Sequence, residues 1–242
     1  MAKTNGLGVR LYAAGYDLST DVSAISNMTM SQNLIDTTTL DKSAKSRIPG
    51  VADATLAVNG IFDNSTTSTH SAWTSNSGKL PTGEQVVTLT IGTALGAVAA
   101  GMGATQADYN VDRGAGGGIM TTASYETSDG YGLNYGVLLT AGPTQTDASA
   151  TNSTAVDNTS STAAGGVASL QVLSVATGSA IVKVQHSSDN VTFADLLTFT
   201  TASARTAEIV RDTGSTTVNR YVRVASTSTF TDLEFVVQFA RL

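Results

Sequence analysis

Apolar and polar residues alternate along most of this chain with the period of two that marks strands buried on one face. Leu7, Val9 and Leu11 share one face of a first strand. Over 53–62, Leu56, Val58 and Phe62 fall on one face, with Gly60 between them, leaving Thr55, Ala57, Asn59 and Ile61 on the other. Val87, Leu89 and Ile91 repeat the pattern over 84–91, and Tyr131, Leu133, Tyr135, Val137 and Leu139 form the longest run. Later strands are expected at 167–175, 180–186, 196–200, 205–210, 220–225 and 234–240. Asp129-Gly130 and Asp189-Asn190 lie between runs, where hairpin turns belong.

Helical periodicity is nearly absent. The stretch 67–75, with His70, Ala72 and Trp73, fits one short amphipathic helix, and 41–47 fits a single turn. The segment 19–49 is polar and poorly patterned, with Met28, Met30, Leu34 and Ile35 spaced along it, and reads as a long loop or hairpin. From Thr144 to Ala164 the chain is Thr, Ser, Ala, Asn and Asp with almost no aliphatics. So polar a segment stays ordered only when something holds it, and a neighbouring subunit is the natural candidate. The expected layout is all-β: a domain over 1–145, a Ser/Thr-rich connector over 146–164, and a C-terminal β-sandwich over 165–242.

Composition sharpens this picture. Charged residues make up 13% of the 242, about half the usual share, so the surface is built from short uncharged side chains that lose little entropy against a copy of themselves. The net charge is −6, and no Lys or Arg occurs between Arg113 and Lys183, where Glu126, Asp129, Asp147 and Asp157 do. Lys42, Lys45 and Arg47 are too few for a phosphate track. With no cysteine, disulfides and thiolate metal sites are excluded. Residues 1–6 open no apolar signal region, and the most apolar stretch, 91–102, is too short for a bilayer. Synthesis in a cytoplasm without membrane anchoring is expected.

Candidate chemistry is sparse. The only histidines are His70 and His186. His186-Ser187-Ser188-Asp189 sets base, hydroxyl and acid side by side, but neighbours in a strand alternate faces and triads converge from distant segments. His186 shares parity with Val182 and Val184 and reads as the end of a core-facing strand. Asp17, Asp21 and Asp63-Asn64 read as turn formers rather than Ca²⁺ ligands. The Gly114–Gly118 run lacks the Lys-Ser/Thr of a phosphate loop and precedes β-type sequence, so it reads as a hairpin. No catalytic residue, metal or cofactor is expected. A function that needs no active site is self-assembly through open strand edges, with acidic residues keeping DNA from adhering to an enclosed channel.

Asp17-Leu18-Ser19-Thr20-Asp21-Val22-Ser23-Ala24-Ile25 resembles the DLSGDVSSI pattern of siphophage major tail (tail tube) proteins. Leu40-Asp41-Lys42-Ser43-Ala44, then Arg47-Ile48-Pro49-Gly50 and 53–62, are similar to that family's next conserved stretch. Tyr131-Gly132-Leu133-Asn134-Tyr135-Gly136 with Leu139-Thr140-Ala141-Gly142 resembles its GLEWGxxLTAG stretch, departing at Asn134 and again at Pro143. Lys183 to Asn190, Phe193 and Arg220-Tyr221-Val222-Arg223-Val224 continue the likeness.

The resemblance implies a tail-tube β-sandwich or barrel with one short helix, followed by a C-terminal β-sandwich. It implies hexameric rings stacked around a lumen that DNA only passes through, in a virion tail assembled in the bacterial cytoplasm. Tape-measure, tail-terminator and baseplate proteins would be partners. On this reading Met28, Met30, Leu34 and Ile35 are candidate inter-ring contacts, and Thr55, Ala57, Asn59 and Ile61 face the lumen or a neighbour. The competing class is a carbohydrate-binding, adhesin-like β-sandwich, which needs an exposed aromatic platform. Trp73, placed in a short helix, argues against it.

Overall fold

The computed structural model describes residues 8–75, 77–114, 116–212, 214 and 216–242; Leu7 of the expected first strand lies outside them. Over these residues the chain is antiparallel β throughout, with one short helix. Its first part comprises β1 (Val9–Ala13), β2 (Tyr16–Asp17), β3 (Val22–Asp36), β4 (Arg47–Ile61), α1 (Thr69–Trp73), β5 (Gln85–Ile91), β6 (Val98–Arg113), β7 (Ile119–Thr127) and β8 (Asn134–Leu138). β6 is long enough to serve two layers. Its first half pairs with β5, which pairs with β1, while its second half joins a wall in the order β3-β4-β7-β6.

The core between these layers follows from parity. Ala54, Leu56 and Val58 of β4 and Ala123 and Tyr125 of β7 point inward against Leu11, Val87, Leu89, Ala100 and Met102. Trp73 fills the space between and is fully buried, so its truncation would cost about 3–5 kcal/mol. Phe62 departs from the expected pattern: it lies past the end of β4 and packs on the His70 ring at 5.1 Å instead of joining Leu56 and Val58. Met28, opposite Leu56, is partly buried against this same core.

The second part comprises β9 (Gln145–Asp147), β10 (Val156–Asp157), β11 (Gly166–Gly178), β12 (Ile181–Ser187), β13 (Ala194–Thr198), β14 (Thr206–Asp212), β15 (Tyr221–Thr227) and β16 (Phe230–Arg241). The order β14-β11-β16 faces the order β10-β15-β12-β13 across a core of Leu170, Val172, Val182, Val184, Val222, Val224, Phe235 and Val237. Leu139, from before the connector, belongs to this core too. β8 pairs with both β6 and β16, so a single sheet runs through both parts. At that junction Gly136 lets the backbones meet, since a Cβ there would lie 2.0 Å from the carbonyl oxygen of Phe239.

The back of the β5–β6 layer meets β11 and β16 through a buried polar seam. The Thr88 and Ser169 hydroxyls are 3.0 Å apart, Ser169 donates to Gln238 at 3.1 Å, and the Gln171 amide donates to the Val86 carbonyl at 2.8 Å. Every one of these buried groups is thereby satisfied, as a polar seam must be if it is to be stable.

The polar connector is held by strands of its own chain. Thr146 and Asp147 pair with β16, Asn152 bridges to Ala225, β10 pairs with β15, and Thr162 bridges to Val218. Two other expectations change. Residues 41–47 form no helical turn but the tip of the β3–β4 hairpin, where the Asp36 carboxylate accepts from the Thr38 N–H at 2.9 Å. The long run from Tyr131 is a strand only from Asn134, because Gly130 and Gly132 turn the chain at φ 77° and 73°.

Candidate assembly surface

The wall ends in two open edges. Among the described residues β3 pairs only with β4, and the 105–113 half of β6 pairs only with β7. β3 carries bulges beside Ala24, Asn27 and Leu34, and β6 carries one beside Asp108. Ser23 and Ser26, at the first two, donate to the carbonyls of Asn59 and Ala57. Bulges bend and twist a sheet, so the wall is curved at both margins.

One face of the wall is covered by the core, and the other is free. Register aligns Thr29, Thr55, Glu126 and Thr105 in one row across the strands, and Asn27, Ala57, Ser124 and Asp108 in the next. Asn59, Thr122 and Asn110 follow, then Ile61, Met120 and Asp112. The free face therefore carries Glu126, Asp108 and Asp112 among hydroxyls and amides, and these rows contain no Lys or Arg. Thr55, Ala57 and Asn59 sit in its middle and Ile61 at its end. An acidic, uncharged-polar surface of this kind repels phosphate and offers it no counter-cation.

Beyond the wall, β3 and β4 continue as a ribbon that pairs with no other strand among the described residues, since β4 meets β7 only from Thr55 onward. Its residues 47–53 extend for about 23 Å at the usual strand rise. Met30, Leu34, Ile35, Ile48 and Val51 are exposed along this arm, Val51 at 82%, and Leu40 stands fully exposed at its tip. Ile35 lies directly opposite Ile48, and Leu34 opposite Pro49. Of the candidate inter-ring residues, Met30, Leu34 and Ile35 are on the arm. Met28 is not, because it is drawn into the core at the arm's root.

The remaining candidate residues lie in turns, at strand ends and beside the helix. The Ser187 hydroxyl donates to the Asp189 carboxylate at 2.7 Å and accepts from the Asn190 N–H at 3.0 Å, while His186 Nδ1 accepts from the Asn219 N–H at 3.2 Å. Burial, with Arg241 nearby, lowers the His186 pKa. The Asp189 carboxyl is pulled down to about 2 by the N–H groups of Thr192 and Val191 and by Ser187, which marks it as the anchor of the β12–β13 turn. Asp17 accepts from the Ser19 N–H, Asp21 from the Thr69 N–H and Asp63 from the Ser65 N–H. His70 Nδ1 lies 2.9 Å from the Tyr109 hydroxyl, beside Trp73. Trp73, wholly buried, offers no platform to a sugar.

Sequence reading passed over β6 and β7, half of the wall. Small residues from Val98 to Ala104 hid the first half of β6, though Asp108, Asn110 and Asp112 alternating with Tyr109 and Val111 carried a usable signal.

An all-antiparallel β protein with a free, curved, acidic wall is what the geometry defines. No protein-family model matches the chain. No curated protein matches it. Among solved structures it is similar to a component of the virion of a native gene transfer agent particle, at 13% identity and a TM-score of 0.43, over 55% of this chain and 98% of that one. It is similar to the Dit protein of phage SPP1, described as a hub adsorption apparatus, at 11% identity and a TM-score of 0.36, over 96% of this chain and 99% of that one. A component of the phage P2 baseplate aligns at 9% identity and a TM-score of 0.32, over 98% of this chain and 99% of that one.

Proposed function

We propose that this chain is a structural subunit of a phage tail whose walls join edge to edge into rings around a DNA-conducting lumen. One observation carries the reading: the wall's two open edges run in opposite directions. β3, β4, β7 and β6 alternate, so a copy rotated about a common axis presents its β6 edge antiparallel to β3. Each junction then continues the ladder, and a cyclic arrangement leaves no edge over.

Closure would turn the acidic face inward, since the core and the helix lie behind the wall. The second part meets the chain through the back of the β5–β6 layer, so on this reading the C-terminal sandwich stands outside. The sequence resemblance supplies six copies. About 24 strands, spaced about 4.8 Å apart and tilted roughly 40°, close at a backbone diameter near 50 Å, which leaves room for a duplex after side chains.

Nothing in this role needs a catalytic group or a cofactor. The subunit acts by shape and by charge, assembling in the bacterial cytoplasm and working in the virion. Its partners are other copies and, at the tube's ends, tape-measure, tail-terminator and baseplate proteins. Negative-stain imaging of the purified protein tests this: rings or tubes are expected, and a monodisperse monomer at high concentration would sink it.

A further inference from the structure

The two sheets of the second part separate along one margin, where β8 follows β16 in one sheet and β10 follows β15 in the other, and β8 and β10 do not pair. The gap is a cleft of about 210 Å³. Val137, Val222 and Phe239 give it apolar surface, and Tyr135, Asn158 and Arg241 bring polar groups to it. Pockets for drug-sized molecules start at about 300 Å³, so this one takes a single ring. Tyr135 is 49% exposed. The Tyr16, Tyr131, Phe193 and Tyr221 rings each carry an Arg guanidinium on one face, whereas among the described residues no cation or second ring stacks on Tyr135. Arg241 is partly buried, and its terminal nitrogens donate to the Thr162 hydroxyl and to the carbonyls of Val218, Asn219 and Arg220. Its Nε–H makes none of these bonds. All four acceptors are neutral, and no carboxylate lies within ion-pair distance of Arg241 among the described residues, so its charge is uncompensated.

We infer that this cleft binds a sugar ring bearing a carboxylate, as one unit of an acidic polysaccharide. All the residues involved lie in one copy, so binding is independent of the ring reading. The C–H face of a pyranose is apolar and packs on an exposed aromatic ring, which Tyr135 presents beside the apolar floor. Asn158 Nδ2 donates to the Ser160 carbonyl at 3.2 Å, which leaves its Oδ1 to accept from a sugar hydroxyl. The sugar carboxylate then meets Arg241, where a charge-assisted hydrogen bond from Nε–H neutralises the guanidinium. A neutral sugar would leave that charge unpaired, and a small carboxylate such as acetate would leave Tyr135 and the floor wet. An acidic sugar satisfies the aromatic ring, the amide and the cation together.

A galacturonate trisaccharide and the neutral galactose trisaccharide are the probes, followed by saturation-transfer NMR on the full chain, which reads monomers and assemblies alike. At low salt the acidic probe should bind at least about fivefold tighter than the neutral one, and the preference should shrink as salt rises to about 0.3 M. Tyr135→Ala should weaken binding of the acidic probe about fivefold, and Tyr135→Trp should keep it. Tyr131→Ala, whose ring belongs to the Arg211 stack outside the cleft, should bind as the wild type does. Arg241→Gln should bind both probes alike. Because Arg241 also ties β16 to the loop before β15, the Tyr135 variants carry the test without it. Equal binding of the two probes, an unchanged affinity in Tyr135→Ala, an equal loss in Tyr131→Ala, or no binding at about 10 mM probe would each overturn the inference. None of these results bears on whether copies form rings.

Discussion

The Arg211 guanidinium lies 2.9 Å from the Asp129 carboxylate, joining β14 of the second part to the turn after β7 in the first. Both side chains are nearly buried, and the Tyr131 ring stacks on the same guanidinium at 4.1 Å. Removing one partner of such a pair strands the other charge away from water. Asp129→Asn should therefore destabilise the protein by about 3 kcal/mol, seen as a lower urea midpoint at unchanged slope. A midpoint indistinguishable from wild type would show that the pair does not join the two parts.

Gly136 is the second place where the parts are coupled. Any side chain there meets the backbone of Phe239 and Ala240, which cannot move without opening the β8–β16 ladder. Gly136→Ala should cost at least about 2 kcal/mol, as overpacking against backbone does, even though alanine is otherwise benign in a strand. Hydrogen exchange should show the loss concentrated in β8 and the end of β16. Uniform or absent loss of protection would contradict this account.

The fold class was legible because alternation is a local signal: Leu56 and Val58 entered the core, and Thr55, Ala57 and Asn59 stayed out of it, as parity alone requires. What could not be read was non-local. The pairing of β8 with both β6 and β16, which merges the two parts into one sheet, depends on contacts about 100 residues apart, such as Gln238 with Leu138. What holds the connector was unreadable for the same reason, since its partners on β15 and β16 lie far along the chain. The arm was visible only as poor patterning. A ribbon wet on both faces has no single buried face to impose a period, so Met30, Leu34 and Ile35 could be suspected but not ordered. Met28 lies at the boundary where the ribbon becomes wall, partly buried against the core.

The Asp189 turn gives a pH-dependent contribution of definite sign. Its carboxyl is held near 2 in the folded state, against about 3.9 in an unfolded chain, so the folded state favours the ionised form. The stabilisation is present in full above the unfolded value and is lost as pH falls toward 2. Asp189→Asn should therefore be less stable than wild type at pH 7, and the gap should narrow steadily between pH 4 and pH 2. A gap that stays constant across that interval would show that ionisation of this carboxylate does not anchor the turn.

The free wall face offers the sharpest test of the lumen. Asp108 and Glu126 lie exposed in its rows, with their side chains away from the core, so replacing both with lysine leaves the fold without a buried charge. In the proposed six-membered ring the pair of substitutions exchanges about twelve carboxylates for about twelve cations, leaving only Asp112 acidic in these rows and reversing their repulsion of phosphate. Assembled Asp108→Lys/Glu126→Lys protein should retain duplex DNA at low salt and release it steeply as salt rises, whereas wild-type tubes retain none. The same substitutions in an unassembled monomer should bind far more weakly, because a single wall presents only two of those charges. If the variant tubes bound DNA no better than their monomers, the acidic face would not line an enclosed channel.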